Sequence, residues 1–189
     1  MLNIRPLGIK GAYALEGKFF SDSRGQFREL MKMSELHSID GLSPWVQNNV
    51  SVSSKNSIRG IHFSKSELKQ NKLVSCLNGS IRDFIVDVRA ASPTFGSFCE
   101  ITLNSEVATS IYLESGLGHA FVALTDNCVV SYLLSSEYDP INEFGINPFD
   151  PTLRINWNLS TFQISEKDRV LPNLSEALLS GLLPKYESN

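Results

Sequence analysis

Residues 72–88 have the sequence KLVSCLNGSIRDFIVDV. Two runs rich in apolar and β-branched residues, 72–77 and 81–88, stand on either side of the dipeptide Asn78-Gly79. Asn-Gly favours the left-handed backbone of a two-residue turn, and between two strand-like runs it is a strong hairpin signal. The segment therefore predicts a β-hairpin near the middle of the chain.

The same pattern continues on both sides of this segment, through residues 45–135. The runs are short, β-branched or aromatic, and often alternating, as in half-buried strands. Ser92-Pro93 and Asp126-Asn127 mark further turns. This number and spacing of strands is typical of a jelly roll or small barrel. The predicted strands are 46–52, 57–63, 72–77, 81–88, 99–103, 110–113, 119–123 and 128–134.

Helical signals are confined to the two ends of the chain. Residues 27–36 predict a short N-terminal helix, and the apolar spacing of residues 175–183 predicts a C-terminal one. Asn173 or Ser175 is the expected N-cap of the second helix, and Gly181 weakens its end. The expected fold class is all-β with short N-terminal and C-terminal helical segments.

Size and composition limit the kinds of protein and partner that fit this sequence. A chain of 189 residues with 42% hydrophobic residues predicts one domain with a full core. The net charge of -3, with 17 basic and 20 acidic residues mixed along the chain, argues against a nucleic-acid partner. No apolar run reaches the ~20 residues that span a bilayer, and no signal-peptide core is visible, so we expect no membrane partner.

The three cysteines are odd in number, far apart and inside predicted strands. Cys76, Cys99 and Cys128 therefore predict reduced, buried thiols rather than a disulfide framework, as expected for a cytoplasmic protein. A nucleophilic cysteine is the less favoured alternative.

Two histidines stand at similar places in the strand pattern. His62 lies in IRGIHF, residues 58–63, and His119 lies in GLGHAF, residues 116–121. Metal-binding cupin barrels place a second histidine shortly after the first, whereas His62 is followed by Phe63-Ser64, with Glu67 as a nearby carboxylate. Two imidazoles and one carboxylate make a poor first-row metal site, so we expect no metal. Proton transfer is the alternative role. The other alternative is that both histidines are structural residues with hydrogen-bonded rings and no catalytic role.

Longer motifs then favour one function among these alternatives. Residues 22–29, DSRGQFRE, fit the pattern D-x-R-G-x-F-x-E; residues 47–51, QNNVS, fit Q-x-N-x-S; and residues 59–62, RGIH, fit R-G-x-H. Taken in order with the segments that follow them, these motifs resemble the dTDP-4-dehydrorhamnose 3,5-epimerase family over about residues 19–170. The further segments are 70–74, 79–89, 92–96, 118–121, Tyr132 with 138–140, 150–157 and 165–168.

This resemblance implies a fold, an activity and an assembly. The family is a cupin-type jelly-roll barrel that uses no metal or other cofactor, is commonly a homodimer and acts on dTDP-4-dehydro-6-deoxy-hexoses. It implies a single domain over residues 1–189, with a core at about 19–170 and a C-terminal tail at about 171–189. The expected partners are therefore a nucleotide-sugar substrate and a second copy of the chain.

The resemblance also implies a role for particular residues. By position, His62 would be the general base, Asp168 its orienting carboxylate and Tyr132 the general acid. Lys72 would stand beside the C4 oxygen of the sugar. The residues implied to line the nucleotide-sugar site are Arg24, Glu29, Gln47, Asn49, Arg59, His119, Glu143 and Lys167.

These residue types suit enolisation of a ketone. Removing a proton beside a carbonyl leaves an enolate with its charge mainly on oxygen, and imidazole is a base of near-neutral pKa. A carboxylate fixes the imidazole tautomer, and a lysine stabilises the oxyanion. Inversion needs a proton from the opposite face, so a second acid such as Tyr132 must stand there.

The chain departs from the family pattern in four places. Phe63-Ser64 replaces Tyr-Gln, Ala120 replaces a glycine, no proline precedes Gly116, and residues 147–149 replace a tryptophan-containing stretch. All the implied proton-transfer residues are present, so we expect catalysis with an altered pocket shape.

Other functions stay open at this point. They are a single-position epimerase, an epimerase of another nucleotide-activated keto sugar, a non-catalytic sugar-binding cupin and, least favoured, a metal-dependent cupin enzyme.

Overall fold

The computed structural model describes residues 2–36, 38–39, 41–65 and 68–187. Two antiparallel sheets face each other, and no helix in these ranges is long and apolar enough to cross a membrane. The strands are β1 Asn3–Pro6, β2 Ala12–Glu16, β3 Phe19–Asp22, β4 Gly25–Arg28, β5 Gln47–Ser53, β6 Ile58–Ser64, β7 Lys72–Asn78, β8 Ser80–Asp87, β9 Phe98–Asn104, β10 Thr109–Leu113, β11 Leu117–Ala123, β12 Cys128–Leu134 and β13 Glu143–Gly145, and the helices are a 3-10 turn Met33–Glu35, α1 Glu166–Arg169 and α2 Leu174–Leu179.

The strands form the predicted all-β jelly roll. One sheet has the order β1-β2-β10-β7-β12-β5 and the other has the order β13-β6-β11-β8-β9, while β3 and β4 form a separate hairpin. Every strand predicted from the sequence is present, with bounds that differ by at most two residues. The pattern between residues 45 and 135 is thus confirmed.

The predicted hairpin at Asn78-Gly79 is wrong. β7 pairs with β10 and β12, whereas β8 pairs with β9 and β11 in the other sheet. Gly79 has a φ of +76° and turns the chain sharply, but the turn is a corner between the two sheets. The Asn78 side chain donates to the Asn127 carbonyl at 2.8 Å and fixes the corner against the β11–β12 connection. An Asn-Gly pair specifies a reversal of direction and not the pairing partner.

The N-terminal helix predicted over residues 27–36 is also mostly wrong. Phe27 and Arg28 belong to β4, and the helical part is the 3-10 turn at residues 33–35. Phe27 pairs across the hairpin with Phe20, with ring centroids 6.3 Å apart. Such cross-strand aromatic pairs stabilise a hairpin, which explains why this segment is extended.

The C-terminal helix forms with the predicted cap. Asn173 is the N-cap of α2, and its backbone amide donates to Glu176 Oε2 at 2.8 Å. At the other end Gly181 takes a φ of +69°, and the Leu182 amide donates to the Ala177 carbonyl at 3.0 Å. This is a Schellman arrangement, so the helix ends at Leu179, earlier than predicted.

Apolar residues pack in three layers that hold the sheets. One layer fills the space between the sheets, around Val74, Ile85 and Phe121. A second covers the outer face of the five-stranded sheet with Trp157, and a third covers the six-stranded sheet. Because both sheets are supported from outside, the space between them can stay open at one end as a cavity.

Candidate active site

A cavity of about 660 Å³ opens between the two sheets. Its walls come from β6, β11 and β13 on one side and from β5, β7 and β12 on the other, and residues 163–172 close one flank. This volume lies in the range of small-molecule and cofactor sites. The cavity brings together many of the site residues predicted from the sequence: Asn49, Arg59, His62, Lys72, His119, Tyr132, Glu143, Lys167 and Asp168.

Two glycines bring the histidine strands close together. A Cβ on Gly60, whose φ is +113°, would lie 2.4 Å from the His119 carbonyl oxygen, and one on Gly118 would lie 2.7 Å from a methyl of Ile61. Neither position has room for a side chain. As a result β6 and β11 place His62 opposite His119 in register, and both rings line the cavity. The glycine close before each histidine therefore has a packing reason.

His62 is paired with a buried carboxylate. Its Nε2 lies 2.7 Å from Asp168 Oδ1, and Asp168, on the short helix α1, is 4% exposed. Burial would raise the pKa of Asp168, but hydrogen bonds from His62 and Ser165 outweigh it, and the pKa lies below its ordinary value. Because an ionised carboxylate only accepts hydrogen bonds, Nε2 carries the proton of the neutral ring and Nδ1 has the free lone pair.

A second histidine–carboxylate pair lies beside the first. His119 Nε2 is 2.8 Å from Oδ2 of Asp83, which is fully buried on β8. Burial raises the pKa of Asp83, and the neighbouring His119 partly opposes this rise. Sequence reasoning did not single out Asp83, although an acidic residue at an inward position of a buried strand was a usable signal.

Lys72 and Tyr132 lie on the opposite wall. They come from β7 and β12 of the six-stranded sheet, and both line the cavity. The Lys72 side chain is buried, at 8% exposure. Burial lowers the pKa of Lys72, and the charge of Glu143 acts in the other direction. The cavity thus has an imidazole–carboxylate pair on one wall and an ammonium and a phenol on the other.

Gln47 supports the site from just outside the cavity. Its Nε2 donates to Asn49 Oδ1 at 2.9 Å, and its Oε1 accepts the Tyr138 amide at 2.8 Å. Asn49 and Tyr138 themselves line the cavity. At the edge of the cavity, Arg59 donates from Nε to Ser53 Oγ at 3.0 Å.

Arg24 and Glu29 do not reach the cavity of their own chain. The Arg24 side chain is 88% exposed on the β3–β4 hairpin and pairs with Asp22 at 2.6 Å. Glu29 pairs with Lys32 at 2.7 Å. A single chain therefore leaves these two predicted substrate-binding residues apart from the others.

The two residues that follow His62 act on the cavity indirectly. Phe63 is fully buried behind β6, and its ring stacks on Phe144 with centroids 6.2 Å apart. Ser64 is buried and donates to Gln70 Oε1 at 2.9 Å. Phe144 and Gln70 both line the cavity, and the sequence analysis gave neither a role.

The cavity contains no evident metal centre within the described ranges. In residues 2–36, 38–39, 41–65 and 68–187, no three His, Cys, Asp or Glu side chains are grouped as a metal site would require. Glu67, the carboxylate considered from the sequence, lies outside the described residues.

Comparison with known proteins identifies the family. The sequence model of dTDP-4-dehydrorhamnose 3,5-epimerase matches residues 6–176. The dTDP-4-dehydrorhamnose 3,5-epimerase of Streptomyces griseus is 42% identical over 186 residues, covering 97% of this chain and 92% of that enzyme.

Solved structures agree with this match. NovW, a 4-keto-6-deoxy sugar epimerase from the novobiocin gene cluster of Streptomyces spheroides, superimposes with a TM-score of 0.95 at 36% identity, covering 98% of this chain and 94% of that one. ChmJ, a 3'-monoepimerase from Streptomyces bikiniensis in complex with dTDP-quinovose, gives a TM-score of 0.92 at 39% identity, covering 96% of this chain and 93% of that one. The chain therefore belongs to the dTDP-4-dehydrorhamnose 3,5-epimerase family of sugar-nucleotide isomerases.

Proposed function

We propose that this chain epimerises a dTDP-linked 4-keto-6-deoxy sugar at C3, C5 or both by enolisation. The observation that carries the proposal is the placement of His62 with Asp168 on one wall of a single cavity and Tyr132 on the other. Inversion of a carbon beside a ketone needs a base and an acid on opposite faces of the sugar, and this arrangement offers both.

His62 removes the proton in the proposed mechanism. The free lone pair at Nδ1 accepts the proton from the carbon beside the ketone, and the C–H electron pair moves into the enolate. Asp168, held at Nε2, fixes the ring and stabilises the imidazolium that forms. A positioned base of this kind contributes roughly 10² to 10⁴ in rate.

Lys72 stabilises the enolate oxygen. As proton removal proceeds, negative charge collects on the C4 oxygen, and a buried ammonium is strongly attracted to it because little water screens the charge. His119, held by Asp83, lies across the cavity on β11 and serves as a second polar contact for the sugar.

Tyr132 returns a proton to the opposite face. Its phenol donates to the carbon of the enolate, the ketone re-forms, and the configuration at that carbon is inverted. Arg59, Asn49 and Lys167 line the same cavity and are the proposed contacts for the nucleotide part of the substrate. A guanidinium fork and an ammonium both match phosphate oxygens.

Deuterium incorporation from solvent tests the proposal. With a dTDP-4-keto-6-deoxy sugar in D₂O, we expect the native chain to introduce deuterium at C3, C5 or both, as read by NMR. His62→Ala should abolish the exchange, and Tyr132→Phe should slow reprotonation more than proton removal. Exchange at the native rate in the His62→Ala protein would contradict the assignment of the base.

The similarity to ChmJ makes inversion at C3 alone the second candidate activity. NMR of the product separates the two, because inversion at one centre and at two centres gives different sugars. A non-catalytic sugar-binding role would instead give tight binding with no exchange across a panel of dTDP- and GDP-4-keto sugars.

The proposed functional unit is a homodimer in which each chain supplies its β3–β4 hairpin to the other's cavity. Arg24 and Glu29, which the resemblance assigns to the substrate site, lie on or just after this hairpin and outside their own cavity. The same hairpin exposes Phe20 and Phe27, at 58% and 64%. A second copy would bury this apolar pair and bring the Arg24 guanidinium to the diphosphate.

Two further predictions accompany this proposal. Residues 1–189 form one domain, and the chain works in the cytoplasm. Burial raises the pKa of the Cys76 thiol to about 12 and that of Cys99 to about 11, which supports the role of these residues as unreactive thiols. Cys99 is only half-buried, contrary to the prediction from the sequence, because β9 is the edge strand of its sheet.

A further inference from the structure

A hydrogen-bonded series of three polar side chains, Ser64, Gln70 and Glu143, runs along the wall of the cavity. Ser64 Oγ is 2.9 Å from Gln70 Oε1, and Gln70 Nε2 is 3.0 Å from Glu143 Oε1. Ser64 and Gln70 are each 2% exposed, so neither side chain is free to exchange its partner for bulk water. Glu143, on β13, is also the register partner of Ser64 on β6.

The direction of each hydrogen bond in this series of side chains is fixed. An ionised carboxylate only accepts, so the NH₂ group of Gln70 must face Glu143. The amide oxygen of Gln70 then faces Ser64, and the serine hydroxyl must donate to it. Rotating the amide by 180° would set an oxygen against the carboxylate, which is unfavourable in a buried site.

The far end of this hydrogen-bonded series, Glu143, lines the same cavity as Lys72. Glu143 carries the negative charge that opposes the effect of burial on the pKa of Lys72. The other titratable groups that line the cavity with Lys72 are His62 with Asp168, His119 with its buried partner Asp83, Tyr132, Tyr138, Arg59 and Lys167.

We propose that Gln70, oriented by Ser64, is a positioning residue that holds the Glu143 carboxylate in the cavity it shares with Lys72, where the negative charge of Glu143 stabilises the ammonium that serves the enolate oxygen. The inference rests on the proposed function for its catalytic consequence, but the effect of Gln70 on Lys72 through Glu143 requires no substrate. Gln70 acts through Glu143 and need not touch the sugar.

The first test measures Lys72 directly in the free protein. Lysine labelled with ¹³C at Cε is titrated by NMR, and the Lys72 signal is assigned by its absence in Lys72→Arg. In Gln70→Met the carboxylate is no longer held, so the titration midpoint of Lys72 should move to lower pH. A midpoint equal to that of the native protein overturns the proposal, whatever the enzymatic result.

The second test measures exchange. Gln70→Met should lower kcat for deuterium incorporation by about tenfold, the scale of one hydrogen bond to a charged group. KM should change less, because the residue acts on the charged intermediate more than on the bound ketone. The alkaline limb of the pH–rate profile should move to lower pH together with the Lys72 midpoint.

A double variant separates positioning from simple structural support. Glu143→Gln removes the charge through which Gln70 acts, so adding Gln70→Met to it should lower kcat by less than about twofold more. Losses that multiply across the two sites would show that Gln70 acts independently of Glu143 and would contradict the proposal.

Matched controls keep the outcome interpretable. Ser64→Ala should shift the Lys72 midpoint in the same direction as Gln70→Met. If Gln70→Met is unstable, Ser64→Ala tests the hydrogen-bonded series in its place. Ser75→Ala removes another buried serine hydroxyl, paired with Ser110 at 2.6 Å, and should leave both midpoint and exchange unchanged. The native protein could show no exchange while Gln70→Met still shifts the Lys72 midpoint. That result would refute the proposed function and leave the Gln70–Glu143–Lys72 link standing.

Discussion

Lys72 shows how a single residue can serve chemistry at the expense of stability. Its side chain is buried at 8% exposure, and burial lowers its pKa below the ordinary 10.5. A lowered pKa means that the folded state holds the ammonium less favourably than the unfolded chain does. The penalty is complete below the folded-state pKa and disappears as the pH rises past the unfolded-state value.

We therefore predict that Lys72→Met stabilises the protein while abolishing exchange. At pH 7 the melting temperature should rise, by ~2–4 °C for each ~1 kcal/mol gained in a chain of this size. The gain should shrink as the pH approaches 10.5. Thermal melts at pH 7 and pH 10 measure the difference, and a variant that is less stable than the native chain at pH 7 would contradict the prediction.

The sequence predicted the site residues unequally well at this scale. His62 and Asp168 are 106 positions apart, so no local pattern could pair them, and it was the order of the motifs that joined them. Gln70 was missed as a site residue because its role depends on its partners Ser64 and Glu143, whereas Asp83 left a signal in the sequence that was not used. Arg24 and Glu29 were named from the motif, but their own chain does not place them in the cavity.

At the scale of elements, periodicity predicted the strands between residues 45 and 135 but missed β2, although most of that short strand is buried. β7 and β8, in which most positions are buried, were easily recognised. β1 and β3 are mostly exposed and β13 has three residues, so none of them gave a usable pattern. Sheet membership was beyond local reasoning, since the Asn78-Gly79 corner between the two sheets has the sequence of a hairpin turn.

The contact of β6 with β11 gives an element-scale prediction. Gly60→Ala should destabilise the protein by about 2–5 kcal/mol, because a Cβ there both meets the His119 carbonyl and occupies a left-handed backbone. Denaturant unfolding measures the loss. Exchange should fall even in the folded fraction, because His62 and His119 sit on these two strands.

Gly8→Ala is the matched control for this variant. Gly8 has a φ of +83° with nothing within 4 Å of an added Cβ, so it carries the backbone cost without the contact. Its loss should be about 1 kcal/mol. Equal losses at the two positions would show that the close approach of β6 and β11 does not limit the packing.

At the scale of the whole molecule, the position of the β3–β4 hairpin determines how many chains make one site. If each cavity takes its hairpin from a second chain, Arg24 and His62 of one site come from different copies. Closed two-fold dimers are the commonest assembly of soluble proteins, and in them such an exchange occurs at both cavities alike.

This arrangement predicts complementation between two inactive variants. Arg24→Ala lacks the diphosphate contact and His62→Ala lacks the base, so each alone should be nearly inactive. When the two are unfolded together and refolded as an equal mixture, half of the dimers are mixed, and one of the two sites in each mixed dimer has both residues. Exchange should therefore recover to about a quarter of the native rate. A mixture of His62→Ala with Asp168→Asn should recover nothing, because these residues share one cavity. Recovery in that control, or none with Arg24→Ala, would show that the hairpin does not serve the neighbouring chain.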